Sequence, residues 1–155
     1  MRYDGQIKTY PNLVYFIQQN FEIIAVCPEV EIGLSVPRPA IQLRGNINNI
    51  KLIGRDDPNI NVTDDMQNFC NRKPSQLNLI QAYIFKSKSP SCGVKNIPLF
   101  NEQGKMTDTT RGVFVSAMLQ HYPNLPITDE QSLSNDDQCE NFLQQVKHYQ
   151  QKLIC

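Results

Sequence analysis

The chain predicts an α/β protein: a mostly parallel sheet flanked by helices on both faces, a three-layer arrangement of the Rossmann-like or flavodoxin-like kind. Three observations predict it. Short apolar runs alternate with segments of helical periodicity through most of the chain. Two of those runs, at 22–26 and 82–85, end in loops that carry a cysteine, the place where parallel sheets bind ligands. The 155 residues are 40% hydrophobic and 19% charged, enough for one core without disulfide staples, so residues 1–155 read as a single domain.

The elements follow in order. Pro11 suits a first helical position, and Leu13, Phe16 and Ile17 keep helical spacing through residue 20. The apolar run 22–26 predicts a buried parallel strand ending at Cys27-Pro28. Residues 28–40 hold three prolines and a glycine and read as an irregular loop. A hairpin is expected from a strand at 47–53, a turn at 56–59 and a return at 60–62. Thr63 is a candidate N-cap, Asp64 and Asp65 fill a first helical turn, and Met66, Phe69 and Cys70 form one helix face that Pro74 bends or interrupts. The strand at 82–85 opens into a polar loop at 86–93. Beyond a variable stretch at 101–105, Thr109 or Thr110 is expected to cap a helix ending at His121, with Val113, Phe114, Ala117, Met118 and Gln120 as its surface toward the core. The segment 125–128 reads as an edge strand because of Pro126. Ser134-Asn135-Asp136-Asp137 resembles a capping box for a last helix whose inner face is Cys139, Phe142, Leu143, Val146, Tyr149 and Leu153.

Composition excludes several classes. Fifteen basic residues balance fifteen acidic ones with no basic run, which argues against a nucleic-acid polymer as partner. No apolar stretch reaches the length of a membrane span, and the first ten residues are too polar for a signal peptide. Five irregularly spaced cysteines do not make a secreted disulfide framework, so a reducing, cytoplasmic setting is expected. Oligomeric state is not legible.

Two motifs carry the chemistry. In Cys27-Pro28-Glu29 the proline holds the thiol away from helical angles, with a carboxylate two residues on; a metal or substrate site and a small buried hydrophobe are both open readings. Ser89-Pro90-Ser91-Cys92-Gly93 offers two hydroxyls, a thiol and a glycine that lets backbone approach a ligand; the bland reading is a polar turn. Lys86 and Lys88 lie just upstream, where their charge favours a thiolate. Arg38, between Pro37 and Pro39, is either an anion clamp or part of a rigid surface turn. His121 and His148 have no neighbouring ligand residues, Cys70 and Cys139 fall on apolar helix faces, and Cys155 is terminal. There is no P-loop, glycine-rich dinucleotide fingerprint or nucleophile elbow.

Taken together, Arg2-Tyr3-Asp4-Gly5, Cys27-Pro28-Glu29-Val30 with Gly33-Leu34 and Pro37-Arg38-Pro39, Asp64, and Lys88-Ser89-Pro90-Ser91-Cys92-Gly93 resemble a bacterial family, the domain-of-unknown-function family 523, which includes the thiouracil desulfidases. The likeness runs in order from residue 2 to about residue 121. It implies an iron–sulfur enzyme in which three cysteines hold a [4Fe–4S] cluster and one iron stays open to take sulfur from a small thiolated compound such as a thiolated nucleobase. On that resemblance Cys27 and Cys92 are metal ligands, and Glu29 and Ser89 are catalytic proton-handling groups. Asp4, Arg38 and Ser91 are then substrate-binding.

The family pattern begins with a strand ending in Cys-Leu-Leu-Gly, whereas here Met1 stands directly before Arg2. The third ligand and the first strand of the sheet are therefore absent from this chain, and the expectation is a domain truncated at its N-terminus relative to the family, with Met1 an internal methionine of a longer protein. Two other readings accompany the enzyme. One is a degenerate or accessory metal-binding domain without turnover. The other is a thiol enzyme with Cys92 as nucleophile, its pKa lowered by its loop. The cluster reading requires Cys27 and Cys92 to converge at one rim of the sheet.

Overall fold

Pro11 opens the first helix, α1 (Pro11–Asn20), of the computed structural model, which describes residues 10–154. The Arg2-Tyr3-Asp4-Gly5 motif and Cys155 lie outside the described residues. Where the sequence predicts a buried strand at 22–26, the chain has no regular structure and pairs with no strand among the described residues, and Ile23 and Ile24 are 57% and 61% exposed. Apolar content alone does not make a strand; it needs a neighbour to satisfy its backbone. The following loop contains one short helix, α2 (Pro28–Glu31), which Pro28 starts because its missing N–H is not needed there.

The next two strands, β1 (Ile41–Asn46) and β2 (Asn49–Gly54), form an antiparallel hairpin. The sequence reading missed β1, whose two core residues Ile41 and Leu43 alternate with Gln42 and Arg44 and leave little apolar signal. The expected return at 60–62 is reduced to one bridge between Ile53 and Asn61. Helix α3 (Thr63–Gln76) begins as expected, with Asp64 and Asp65 in its first turn and Met66 and Phe69 buried. Thr63 is not its cap: it is the first helical residue, its hydroxyl donating to Asn61 and accepting the Leu52 amide. Pro74 is tolerated in the last turn, and Tyr122 donates a hydrogen bond to its carbonyl.

Strand β3 (Tyr83–Phe85) stands where expected and leads into the 86–93 loop. A second hairpin, β4 (Ile97–Phe100) and β5 (Met106–Thr110), replaces the variable stretch and the expected start of the next helix. Thr109 and Thr110 are therefore strand residues, and helix α4 (Val113–His121) is capped at Gly112. Strand β6 (Ile127–Asp129) and helix α5 (Asp136–Ile154) complete the described chain. The capping box is shifted by one residue: Asn135 accepts the Gln138 amide, and Gln138 reaches back to the Ser134 amide and hydroxyl. Leu153, expected on the inner face of α5, is exposed.

The larger sheet has the order β2-β1-β4-β5 and is mixed, since only β1 and β4 run parallel. This corrects the mostly parallel sheet expected from the sequence; each hairpin adds an antiparallel edge. A separate sheet pairs β3 with β6 in parallel. Its two faces pack against two separate clusters. Tyr83 and Phe85 face a cluster that includes Phe69, Phe114, Met118, Leu43 and Leu99, while Ala82 and Ile84 face a second cluster of Leu13, Leu133, Cys139, Phe142 and Val146 between α1 and α5. Phe85 and Phe114 are almost fully buried with ring centres 6.2 Å apart, each burial contributing about 1.5–3 kcal/mol. Among the described residues no helix is long and apolar enough to cross a membrane.

Candidate functional site

Cys27 is the N-cap of α2, with φ −125° and ψ 99°, the extended geometry a residue before proline prefers. Its carbonyl accepts the amides of Val30 and Glu31. The turn thereby presents Glu29 inward, 8% exposed, while Lys73 of α3 pairs with Glu31 at 2.7 Å and fixes α2 from the other side.

Glu29 is the centre of the site. Its Oε2 accepts from Arg38 Nε at 2.8 Å, and its Oε1 accepts from the Ser91 hydroxyl at 3.0 Å and the Ser89 hydroxyl at 3.2 Å. Two segments sixty residues apart in sequence meet on one carboxylate. Arg38 also donates from Nη1 to the Ser35 carbonyl and places Nη2 3.9 Å from the Cys27 sulfur. The guanidinium sits inside the site, bonded to Glu29 and 8% exposed, so Arg38 is not part of a solvent-facing surface turn.

The 86–93 loop is built around its own backbone. Ser89 Oγ accepts the amides of Ser91 and Cys92 at 3.2 and 3.1 Å while donating to Glu29, so this hydroxyl lies between two N–H dipoles and a carboxylate. Three carbonyls of the loop, those of Pro90, Ser91 and Gly93, accept the otherwise unpaired amides of Val113, Phe114 and Gly112 at the start of α4. Close approach requires Gly112: a Cβ there would stand 2.4 Å from the Ser91 carbonyl oxygen and 2.8 Å from the Cys92 nitrogen.

Cys92 is buried, and burial is the first cause that raises its thiol pKa; the charges of Glu29, Cys27 and Cys70 add to the rise, and a hydrogen bond with Ser89 opposes it. The expectation of a loop that favours thiolate is corrected. Lys88 is exposed, and Lys86 turns away to Glu130. Cys70, on α3, is likewise pushed up by burial, to about 12. The same neighbourhood acts on Tyr83, whose hydroxyl is raised first by burial and then by the charges of Cys92, Glu31 and Cys27. Cys27 and Cys92 thus lie on the same side of the molecule, linked through Arg38, Glu29 and Ser91.

The donors here are soft, as an iron–sulfur group needs. Among the described residues, however, no three His, Cys, Asp or Glu side chains gather into a group that would hold a metal ion. The site fits such a cofactor in donor type at two positions and does not complete its ligand set. Of the residues expected from the sequence, Cys27, Glu29, Arg38, Ser89, Ser91 and Cys92 come together; Asp4 lies outside the described residues.

Sequence reasoning missed one contributor. Glu130, just after β6 and 7% exposed, accepts the Ser87 amide at 2.7 Å on Oε2, and on Oε1 the Ser87 hydroxyl at 2.6 Å and the Lys86 ammonium. Burial acts to raise its pKa, but the bonds from Lys86 and Ser87 together leave it lowered. No local signal marks Glu130, since its partners lie more than forty residues away.

Comparison with known proteins adds the following. The family model described as 2-thiouracil desulfurase matches residues 1–130. The search of curated proteins found no match. A solved structure, the [4Fe-4S]-dependent thiouracil desulfidase TudS, is similar in fold, with a TM-score of 0.61, 24% sequence identity, and coverage of 84% of this chain and 83% of that one.

Proposed function

Because the chain belongs to the 2-thiouracil desulfurase family, we propose that it removes sulfur from a small thiolated compound, such as a thiolated nucleobase, at the site centred on Glu29. The observation that carries this reading is the meeting of Glu29 with Arg38, Ser89 and Ser91 between two thiols. Replacing sulfur by oxygen at a carbon requires water to add, a proton to leave that water, and sulfur to depart as sulfide. Glu29 Oε1 is the acceptor for the proton, and the Ser89 hydroxyl, already donating to it, is the relay. The two backbone amides on Ser89 Oγ stabilise negative charge on that oxygen as the proton moves. Arg38 holds the far carboxylate oxygen so that Oε1 keeps one orientation. Cys27 and Cys92 are the thiols proposed to hold a [4Fe–4S] cluster, which when bound supplies iron with affinity for sulfur; the rest of its ligand set is not among the described residues.

The reading is tested by anaerobic reconstitution of the full-length natural protein with iron and sulfide, followed by measurement of sulfide released from 2-thiouracil. The expected result is broad visible absorption, about four irons per chain, and sulfide release that Cys27→Ser, Cys92→Ser and Glu29→Gln each abolish. Absence of both iron and sulfide release sinks it. Iron uptake without sulfide release favours the accessory metal-binding domain instead.

A further inference from the structure

We propose that Glu130 is a positioning residue that sets the 86–93 loop and so places Ser89 and Ser91 against Glu29. The loop is fastened at two ends. At its far end, α4 receives three of its carbonyls. At its near end Glu130 holds Ser87 through both amide and hydroxyl, and Lys86 through its ammonium. Between these anchors stands Lys88, with φ 58°, in the left-handed region that side chains other than glycine rarely adopt. A residue held there needs its neighbours fixed, and the neighbour on the Ser87 side is fixed by Glu130. The next residue after Lys88 is Ser89, whose hydroxyl reaches Glu29.

Removing the Glu130 carboxylate frees the Ser87 amide and hydroxyl and lets Lys88 relax toward ordinary angles. Ser89 then leaves its position, while the far end of the loop stays on α4. The effect acts through the loop: Glu130 bonds to Lys86 and Ser87, while the Glu29 carboxylate takes its own bonds from Arg38, Ser89 and Ser91.

The catalytic consequence rests on the proposed function; the structural one does not, and the experiment separates them. In full-length Glu130→Gln, amide hydrogen exchange across 86–93 is expected to speed up about tenfold or more, with exchange in α5 unchanged. In the same variant, kcat for sulfide release from 2-thiouracil is expected to fall about tenfold or more with KM changed little, as misplaced catalytic groups predict. Ser87→Ala, which loses the hydroxyl bonds to Glu130 and Lys86 but keeps the amide bond to Glu130, is expected to move both readouts the same way by less, and it keeps the test decisive if Glu130→Gln does not fold. Unchanged exchange in the loop, or exchange that rises equally in α5, overturns the proposal. So does a loosened loop with unchanged kcat. If the wild-type protein releases no sulfide, the proposed function fails, and loop exchange alone decides whether Glu130 sets the loop.

Discussion

Cys27 follows an irregular segment whose Ile23 and Ile24 are exposed, whereas Cys92 closes a loop that Glu130 and the first amides of α4 fasten at both ends. In sequence the two turns look alike: an apolar run, then a turn that holds a proline and a cysteine. In the structure one follows a paired strand, while the other follows a run that is unpaired among the described residues and opens a short helix. Their surroundings differ in charge as well. The Cys92 thiol is buried among Glu29, Cys27 and Cys70, which makes its thiolate costly until a cation joins it, while Arg38 already lies beside the Cys27 sulfur. The burial that makes Cys92 a poor free nucleophile leaves it compatible with a metal-ligand role, and the comparison shows that adjacency in a motif says little about how a thiol behaves.

Four experiments sharpen that contrast, in falling order of effect. Glu29→Ala removes the carboxylate both turns share and strands a buried guanidinium, so a loss of about 3–5 kcal/mol is expected in denaturant unfolding; a loss under about 1 kcal/mol places the pair in solvent. Gly112→Ala drives a methyl group into the Ser91 backbone and is expected to cost about 3 kcal/mol, read as a lower unfolding midpoint. Glu130→Gln should cost about 1.5 kcal/mol at neutral pH. Because folding lowers the Glu130 pKa, its contribution is present above the unfolded value of about 4.3 and fades as pH falls through the lower folded value. The gap between wild type and variant should therefore close on acidification below about pH 4; a gap independent of pH removes the charged latch from the account. Ile24→Lys, on the exposed run before Cys27, should shift stability by no more than about 0.5 kcal/mol. A large loss there would mean that the run is covered.

Much of this was legible in the sequence. Helices α1, α3 and α5 have long apolar periodicity, and the two cysteine motifs with Arg38 mark the segments that converge. Strands β1, β4 and β5 were not legible. β1 offers only two buried residues, β5 is polar along its length, and their pairing depends on turns at 47–48 and 101–105 rather than on hydrophobic content. The run at 22–26 failed in the opposite sense, having the composition of a buried strand without a pairing among the described residues. Glu29 and Ser91 were visible as motif members, but the bond between them was not, because nothing local encodes a contact across sixty-two residues. Glu130 lies beyond sequence reasoning for the same reason.

The bond between Glu130 and Ser87 also has a consequence for the order in which the chain is made. Synthesis delivers Cys27, Glu29 and Arg38 first, the Ser89 to Cys92 turn next, the α4 amides after that, and the carboxylate that holds Ser87 last. A nascent chain halted before residue 130 carries both thiols and every hydroxyl of the pocket, yet its loop is tied at one end only. The Ser87 amide and hydroxyl of this protein therefore wait for Glu130 to find their carboxylate partner.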